Sequence, residues 1–416
     1  MNINHTFLFY IILAIFIFEA LTEFILEELN RKSWRSHVPD LLKDVYPDEK
    51  FQKQKEYRLV NYRFGLFSSV ISIFVVLIVL WFEGFKWLDV LILQYNLPPL
   101  IHSLAFFAIA GLATILLSLP FSIYDTFVIE ERFGFNKTTY KTFIADFFKS
   151  LVLGAVIGGI VLTLLFWFYS WAGTLFWLYA WAGLTLFSII MGFFYTTLIL
   201  PVFNKLTPLE DGELRNSIEK ISLKTGFPLK KLFVMDGSKR STKSNAFFGG
   251  FGKNKRIVLY DTLIKELSTD EIVAVLAHEI GHYKMKHTIR GLILGILQSG
   301  LMLFLLGWFI NYPALSQALG VAQPSFHIGL LGFGLLYSPV SAVTGLWMTI
   351  LSRRQEYQAD AFAAKHANSQ ALGSALKKIS ASSLDNPTPH PLYVFLNYSH
   401  PPLLKRLEAL KLVISD

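Results

Sequence analysis

His278-Glu279-Ile280-Gly281-His282 is the segment of this 416-residue chain whose residue types and spacing could do chemistry. In a helix, residues four apart share a face. His278 and His282 can then grip one zinc ion while Glu279 stands beside it as a base. Random placement of this composition yields roughly 0.02 such pentads per chain. A catalytic zinc takes three protein ligands and one water, so a third ligand must come from elsewhere. The chain has no Cys. Thiol catalysis, disulfides and Cys-ligated zinc are excluded, and only His or a carboxylate can complete the set.

The flanking sequence predicts the helix that the pentad needs. Ser268-Thr269-Asp270-Glu271 has the pattern of a capping box. Ile272, Val275, Leu276 and Ile280 follow at helical spacing. Gly281 inside that helix costs about 1 kcal/mol relative to Ala. Such a cost points to a metal, or to another backbone, approaching closely.

The elements that must carry this helix lie in a membrane. The chain is 53% hydrophobic and only 16% charged, against about 25% charged in soluble domains. Seven stretches can cross a bilayer, near 6–27, 64–82, 100–123, 150–170, 175–199, 291–310 and 326–351. Glu19 and Glu23 in the first are expected to face the bundle interior or the interface, because acids exposed to lipid are expensive. The net charge of +8 does not indicate nucleic acid, because the basic residues segregate. The short loops 28–63 and 124–149 carry thirteen Lys and Arg, and the short loops of the opposite face carry only Lys86. The N-terminus is thus expected outside or in a lumen, and the C-terminus and pentad in the cytoplasm. The basic face would also attract anionic lipid. The expected organisation is spans one to five over 1–199, a cytoplasmic zinc region over 200–290, spans six and seven over 291–351, and a cytoplasmic helical tail over 352–416.

This topology selects the third ligand. The pentad precedes the sixth span, and the seventh returns the chain to the same side. Next come Glu356 and Asp360, four apart on one helical face. On their own they also fit a solvated face beside Arg353 and Arg354. With the hairpin behind them, Glu356 is the expected third ligand and Asp360 the acceptor for the other imidazole N–H of a ligand histidine. A metzincin helix would have Gly at 285 and a third His at 288. Met285 and Thr288 stand there instead, so His287 reads as a surface or interfacial residue.

Region 200–290 is too long for a simple loop. Residues 214–221 read as an amphipathic helix. Residues 231–236, 244–248 and 256–260 read as strands, the last two joined by a turn around Gly249-Gly250-Phe251-Gly252. The edge of this sheet could accept an extended peptide through main-chain hydrogen bonds, or the hairpin could only brace the pentad helix. Pro401 and Pro402 open a further helix. His400 at its entry could point into a site, or could serve as a cap.

Together these features resemble one family, the Ste24-type CAAX prenyl proteases of the M48 zinc metalloproteases. The markers are residues 128–136 (Val-Ile-Glu-Glu-Arg-Phe-Gly-Phe-Asn), Ser244-Asn245-Ala246-Phe247, residues 255–263 (Lys-Arg-Ile-Val-Leu-Tyr-Asp-Thr-Leu), the pentad, residues 356–360, and Ser399-His400-Pro401-Pro402. The resemblance implies a mainly α fold, in which seven transmembrane helices enclose a hydrated chamber and a zincin-like α+β domain closes its cytoplasmic end. It implies one zinc held by His278, His282 and Glu356, with Glu279 as base. It implies that Asn245, Ala246 and Phe247 hold the substrate strand, and that His400 and Arg406 contact the substrate carbonyl or transition state. The implied activity is zinc metalloendopeptidase cleavage near the C-terminus of CAAX-type, prenylated proteins or peptides. The implied partners are that substrate and membrane lipid, with the protein acting as a monomer. Phe247 stands where eukaryotic members often have Tyr, and residues 412–416 show no ER retrieval signal. A bacterial inner membrane is therefore expected rather than the ER, with a substrate that need not be prenylated. The alternatives are a quality-control protease like the HtpX relatives, which have fewer spans, and a zinc transporter or receptor. Transport would call for ionisable residues deep in several spans, and a structural zinc would need four protein ligands.

Overall fold

A computed structural model describes residues 4–227, 231–249 and 256–415. The expected turn at Gly250–Gly252, the marker residue Lys255 and the last residue of the tail, Asp416, lie outside them. Among the described residues, seven helices are long and apolar enough to cross a membrane: His5–Lys32, Asp48–Trp81, Pro99–Glu130, Tyr140–Trp171, Gly173–Phe203, His287–Phe309 and Phe326–His366. Two extend well past the expected spans. The second starts at Asp48 and the seventh runs to His366, because charged residues that hydropathy reads as loop continue the same helix beyond the membrane. The seventh helix is thus unbroken across residue 351, and the sixth begins at His287.

Each membrane helix packs on its neighbour in sequence, and the seventh returns to touch the first, so the seven close into a ring. In six of them only 6–17% of the apolar window is buried, against 33% in the seventh. A solid bundle would bury at least one full face of each helix. Such low burial describes walls exposed on two sides, lipid outside and an open interior within. Glu19, Glu23 and Glu27 line a cavity of about 730 Å³ between the first and second helices, with Asn61, Ser68 and Ser72 opposite. This satisfies the demand that acids in a membrane helix avoid lipid.

Among the described residues, the domain that follows the fifth span has a four-stranded sheet of order β1-β2-β4-β3, with β1 Leu206–Pro208, β2 Lys231–Met235, β3 Ala246–Gly249 and β4 Arg256–Tyr260. β2 runs parallel to β4, and β3 antiparallel to β4. β3 begins two residues later than expected. Lys243 is tied to Glu130 and Ser244 to Glu266, which holds that stretch off the ladder. Glu213–Lys224 forms the expected amphipathic helix and buries Ile218 and Ile221. Ile257, Leu259, Ile272, Leu276 and Ile280 form the core between sheet and pentad helix.

Candidate metal centre

The pentad lies on helix Thr269–Lys284, whose start is the anticipated capping box. The Ser268 hydroxyl accepts from the Glu271 N–H, and the Glu271 carboxylate accepts from the Ser268 N–H. This helix packs lengthwise on the C-terminal end of the seventh span's helix. Gly281 explains how closely. A Cβ there would lie 3.2 Å from the Ala359 Cα and 3.1 Å from the Phe362 Cβ. The glycine therefore admits a backbone, and that contact brings Glu356 to the histidines.

His278 Nε2 and His282 Nε2 are 3.1 Å apart. Glu356 Oε2 lies 3.5 Å from the first and Glu356 Oε1 3.2 Å from the second. Tetrahedral ligands at the usual zinc distances sit about 3.3 Å from one another, so the donor set fits a four-coordinate zinc with one position left for water. Glu356 is 4% exposed and its Oε2 has no hydrogen-bond partner. A buried carboxylate oxygen without a partner is costly, and a cation at this point removes that cost.

The groups behind the ligands are also ordered. His278 Nδ1 lies 2.8 Å from Asp360 Oδ1, close enough for a charge pair though off the line of a hydrogen bond. Arg406 grips the same carboxylate with two bonds, Nε to Oδ2 at 2.8 Å and Nη2 to Oδ1 at 2.6 Å. Its Nη1 is 3.6 Å from Glu356 Oε2. Burial alone would lower the His278 imidazole pKa, but Asp360 and Glu356 override it and push it up to about 9. Burial pushes the Glu279 carboxyl up from its ordinary value, against the opposing pull of His278 and His282. That suits a group that must accept and return a proton.

His400 Nε2 lies 3.4 Å from Glu356 Oε1, and Ser399 Oγ is 2.9 Å from His400 Nδ1. Its ring is 63% exposed, so it borders the metal position from the open side. Arg353 holds it there by donating to the carbonyls of Val394, Phe395 and Tyr398 at the end of helix Pro391–Asn397.

Asn245, Ala246 and Phe247 make none of these contacts. Asn245 is exposed at the start of β3, its Oδ1 accepting from the Ala246 N–H. Among the described residues, the far edge of β3 is unpaired. The segment after the third span braces this edge. Glu130 accepts from Lys243 at 2.8 Å and from the Tyr57 hydroxyl at 2.5 Å, and Asn136 bridges to Ser241.

His287 corrects the sequence reading. It is only 4% exposed. Its Nδ1 lies 3.1 Å from His282 Nδ1 and its Nε2 3.0 Å from Gln358 Oε1. Spacing could have raised it, five residues after His282, but its burial arises from the turn at Met285-Lys286, where Lys286 is left-handed with φ 58°.

A second grouping, Asp89, His102 and His327, lies at the opposite membrane face. Both imidazole Nε2 atoms sit 2.8 Å from the one Asp89 Oδ1. That is the length of charge-assisted hydrogen bonds and shorter than the spacings of the His278 site. It ties helix Gly84–Leu93 to the starts of the third and seventh spans.

Residues 28–205 match the family described as CAAX prenyl protease N-terminal, five membrane helices. Residues 208–414 match peptidase family M48. The chain is 38% identical to a CAAX prenyl protease 1 homolog of Arabidopsis thaliana over 90% of each sequence. It is 37% identical to CAAX prenyl protease 1 of Saccharomyces cerevisiae, over 92% of this chain and 90% of that one. It is 36% identical to the Homo sapiens CAAX prenyl protease 1 homolog, over 94% and 92%. The crystal structure of S. mikatae Ste24p superposes with a TM-score of 0.92 at 35% identity, covering 97% of this chain and 99% of that one.

Proposed function

The chain belongs to peptidase family M48 and is an integral-membrane metalloprotease, and from that premise we propose that it cleaves CAAX-type prenylated proteins at one zinc held by His278, His282 and Glu356. One observation carries the reading: two imidazole nitrogens on one helix and the Glu356 carboxylate on another meet at 3.1–3.5 Å, and the carboxylate's Oε2 is buried with no hydrogen-bond partner. Two imidazoles and a carboxylate with an open fourth position is the donor set of catalytic zinc. The names of the relatives support CAAX substrates. The match to the five-helix N-terminal family disfavours the quality-control reading. The relatives compared are plant, yeast and human, and lend no support to a bacterial membrane.

Zinc bound there would acidify a water and polarise the scissile carbonyl. The protein's own groups do the rest. The free edge of β3 aligns the substrate backbone, with Asn245, Ala246 and Phe247 along it. Glu279 takes a proton from the attacking water and returns it to the leaving amide nitrogen. His400 Nε2–H donates to the oxygen on which charge develops. Arg406, gripping Asp360, steadies His278 and offsets the charge of Glu356. One copy supplies every one of these residues, so the proposed reaction needs no second copy. We assign 200–290 and 352–416 to the cytoplasmic parts, with helix Phe326–His366 bridging membrane and cytoplasm. The basic loops support a cytoplasmic site facing anionic lipid.

The test is to incubate the purified protein with a farnesylated CAAX peptide and its unprenylated twin, with and without chelator. Chelator-sensitive cleavage of the farnesylated peptide is expected. Equal cleavage of both would remove prenyl recognition, and chelator-resistant cleavage would remove the metal. Glu279→Ala should keep its zinc and lose cleavage.

A further inference from the structure

We infer that His287 and Gln358 form a tautomer lock that leaves His282 Nε2 bare for the metal, so that His287 is a positioning residue of the site. The inference rests on the zinc reading above. The argument follows the protons outward. To ligate, His282 must present Nε2 without hydrogen, so its proton sits on Nδ1. That Nδ1 faces His287 Nδ1 at 3.1 Å. Two N–H groups cannot face each other, so His287 Nδ1 is the acceptor and the His287 proton sits on Nε2. His287 Nε2 in turn faces Gln358 Oε1 at 3.0 Å, an oxygen that can only accept.

Every link therefore points the same way. A donor in place of Gln358 Oε1 would reverse both links, put a proton on His282 Nε2 and block the metal. His278 is biased to the same state by the Asp360 carboxylate, whose negative charge lies 2.8 Å from its Nδ1. The two ligands thus have different keepers: a charged one for His278 and a neutral relay for His282. The relay exists because Lys286 turns left-handed at φ 58° and starts the sixth span at His287, folding that ring back over His282. His287 is buried among these groups, so water does not readily replace it.

The experiment measures zinc affinity of the purified full chain by competition with a chelator. The unaltered protein and His282→Ala give the reference. If the unaltered protein binds no zinc, or His282→Ala binds it equally well, the zinc reading fails. Given tight binding in the first and loss in the second, His287→Leu, which offers no acceptor, should weaken affinity by about 10–100-fold. His287→Gln, which offers an oxygen, should recover most of it. Both variants are neutral, so charge does not confound the comparison. Excess zinc should return kcat of His287→Leu with KM unchanged. Affinity of His287→Leu equal to the unaltered protein, or equal loss in His287→Leu and His287→Gln with metal-free thermal unfolding unchanged, would overturn the lock. Should His287→Leu fail to fold, Gln358→Met decides: a several-fold loss of affinity supports the relay and no loss overturns it.

Discussion

At the scale of single residues, the site is a competition between a proton and a metal for the same nitrogens. With the His278 imidazole pKa pushed up to about 9, the metal-free ring is protonated at neutral pH, so zinc capture must expel that proton. Zinc affinity should tighten by about tenfold per pH unit up to that value. Chelator competition between pH 6 and 9 checks this, and a flat profile would refute it. His400→Ala should lower kcat by about 10²–10³-fold if His400 donates to the oxyanion, read in steady-state assays with zinc saturating. The proposed ligand set was legible because the pentad fixes two positions, and the out-and-back hairpin returns only one pair of acids at the correct spacing. The Asp360 partnership followed from the same helical face. His287 was not legible, because its role depends on one left-handed residue, Lys286, which no periodicity announces.

At the scale of elements, tight contacts decide the site. Gly281→Ala should gain about 1 kcal/mol of helix propensity and lose more to overpacking, typically about 1–3 kcal/mol, because one obstacle is the Ala359 main chain. A lower Tm together with reduced zinc retention is expected in melting and metal-content measurements, and an unchanged Tm would contradict so close an approach. Arg353→Ala should free helix Pro391–Asn397 and misplace His400, lowering kcat by as much as about 10²-fold while zinc content holds. The sequence revealed the pentad helix and three strands, since each has its own period or cap. It concealed β1, three residues long, and the late start of β3. Both are set by partners distant in sequence, such as Glu130 for Lys243.

At the scale of the whole molecule, seven spans and the gathering of basic residues on one face were readable from hydropathy and Lys/Arg placement alone. The closed ring with an open interior was not, because hydropathy cannot distinguish a wall touching lipid from one touching water. Hydropathy also lost sight of the helices once they left the bilayer. Orientation is directly testable because the chain has no Cys. In intact cells or sealed vesicles, Lys86→Cys should react with an impermeant maleimide from outside, and Lys141→Cys only after permeabilisation. The reverse pattern would turn the metal centre to the other side.

The helix Phe326–His366 bears His327 near one end and Glu356 toward the other. At 1.5 Å per residue these lie about 44 Å apart. It acts as a lever: a tilt of ~2° pivoting at the far leaflet swings the Glu356 end by about 1.5 Å on that length, a large fraction of the gap between zinc and its donors. Pro339 lies within the helix between them, where its missing N–H removes one main-chain hydrogen bond. Zinc grip on one side of the membrane is therefore mechanically mortgaged to the Asp89 clamp on the other.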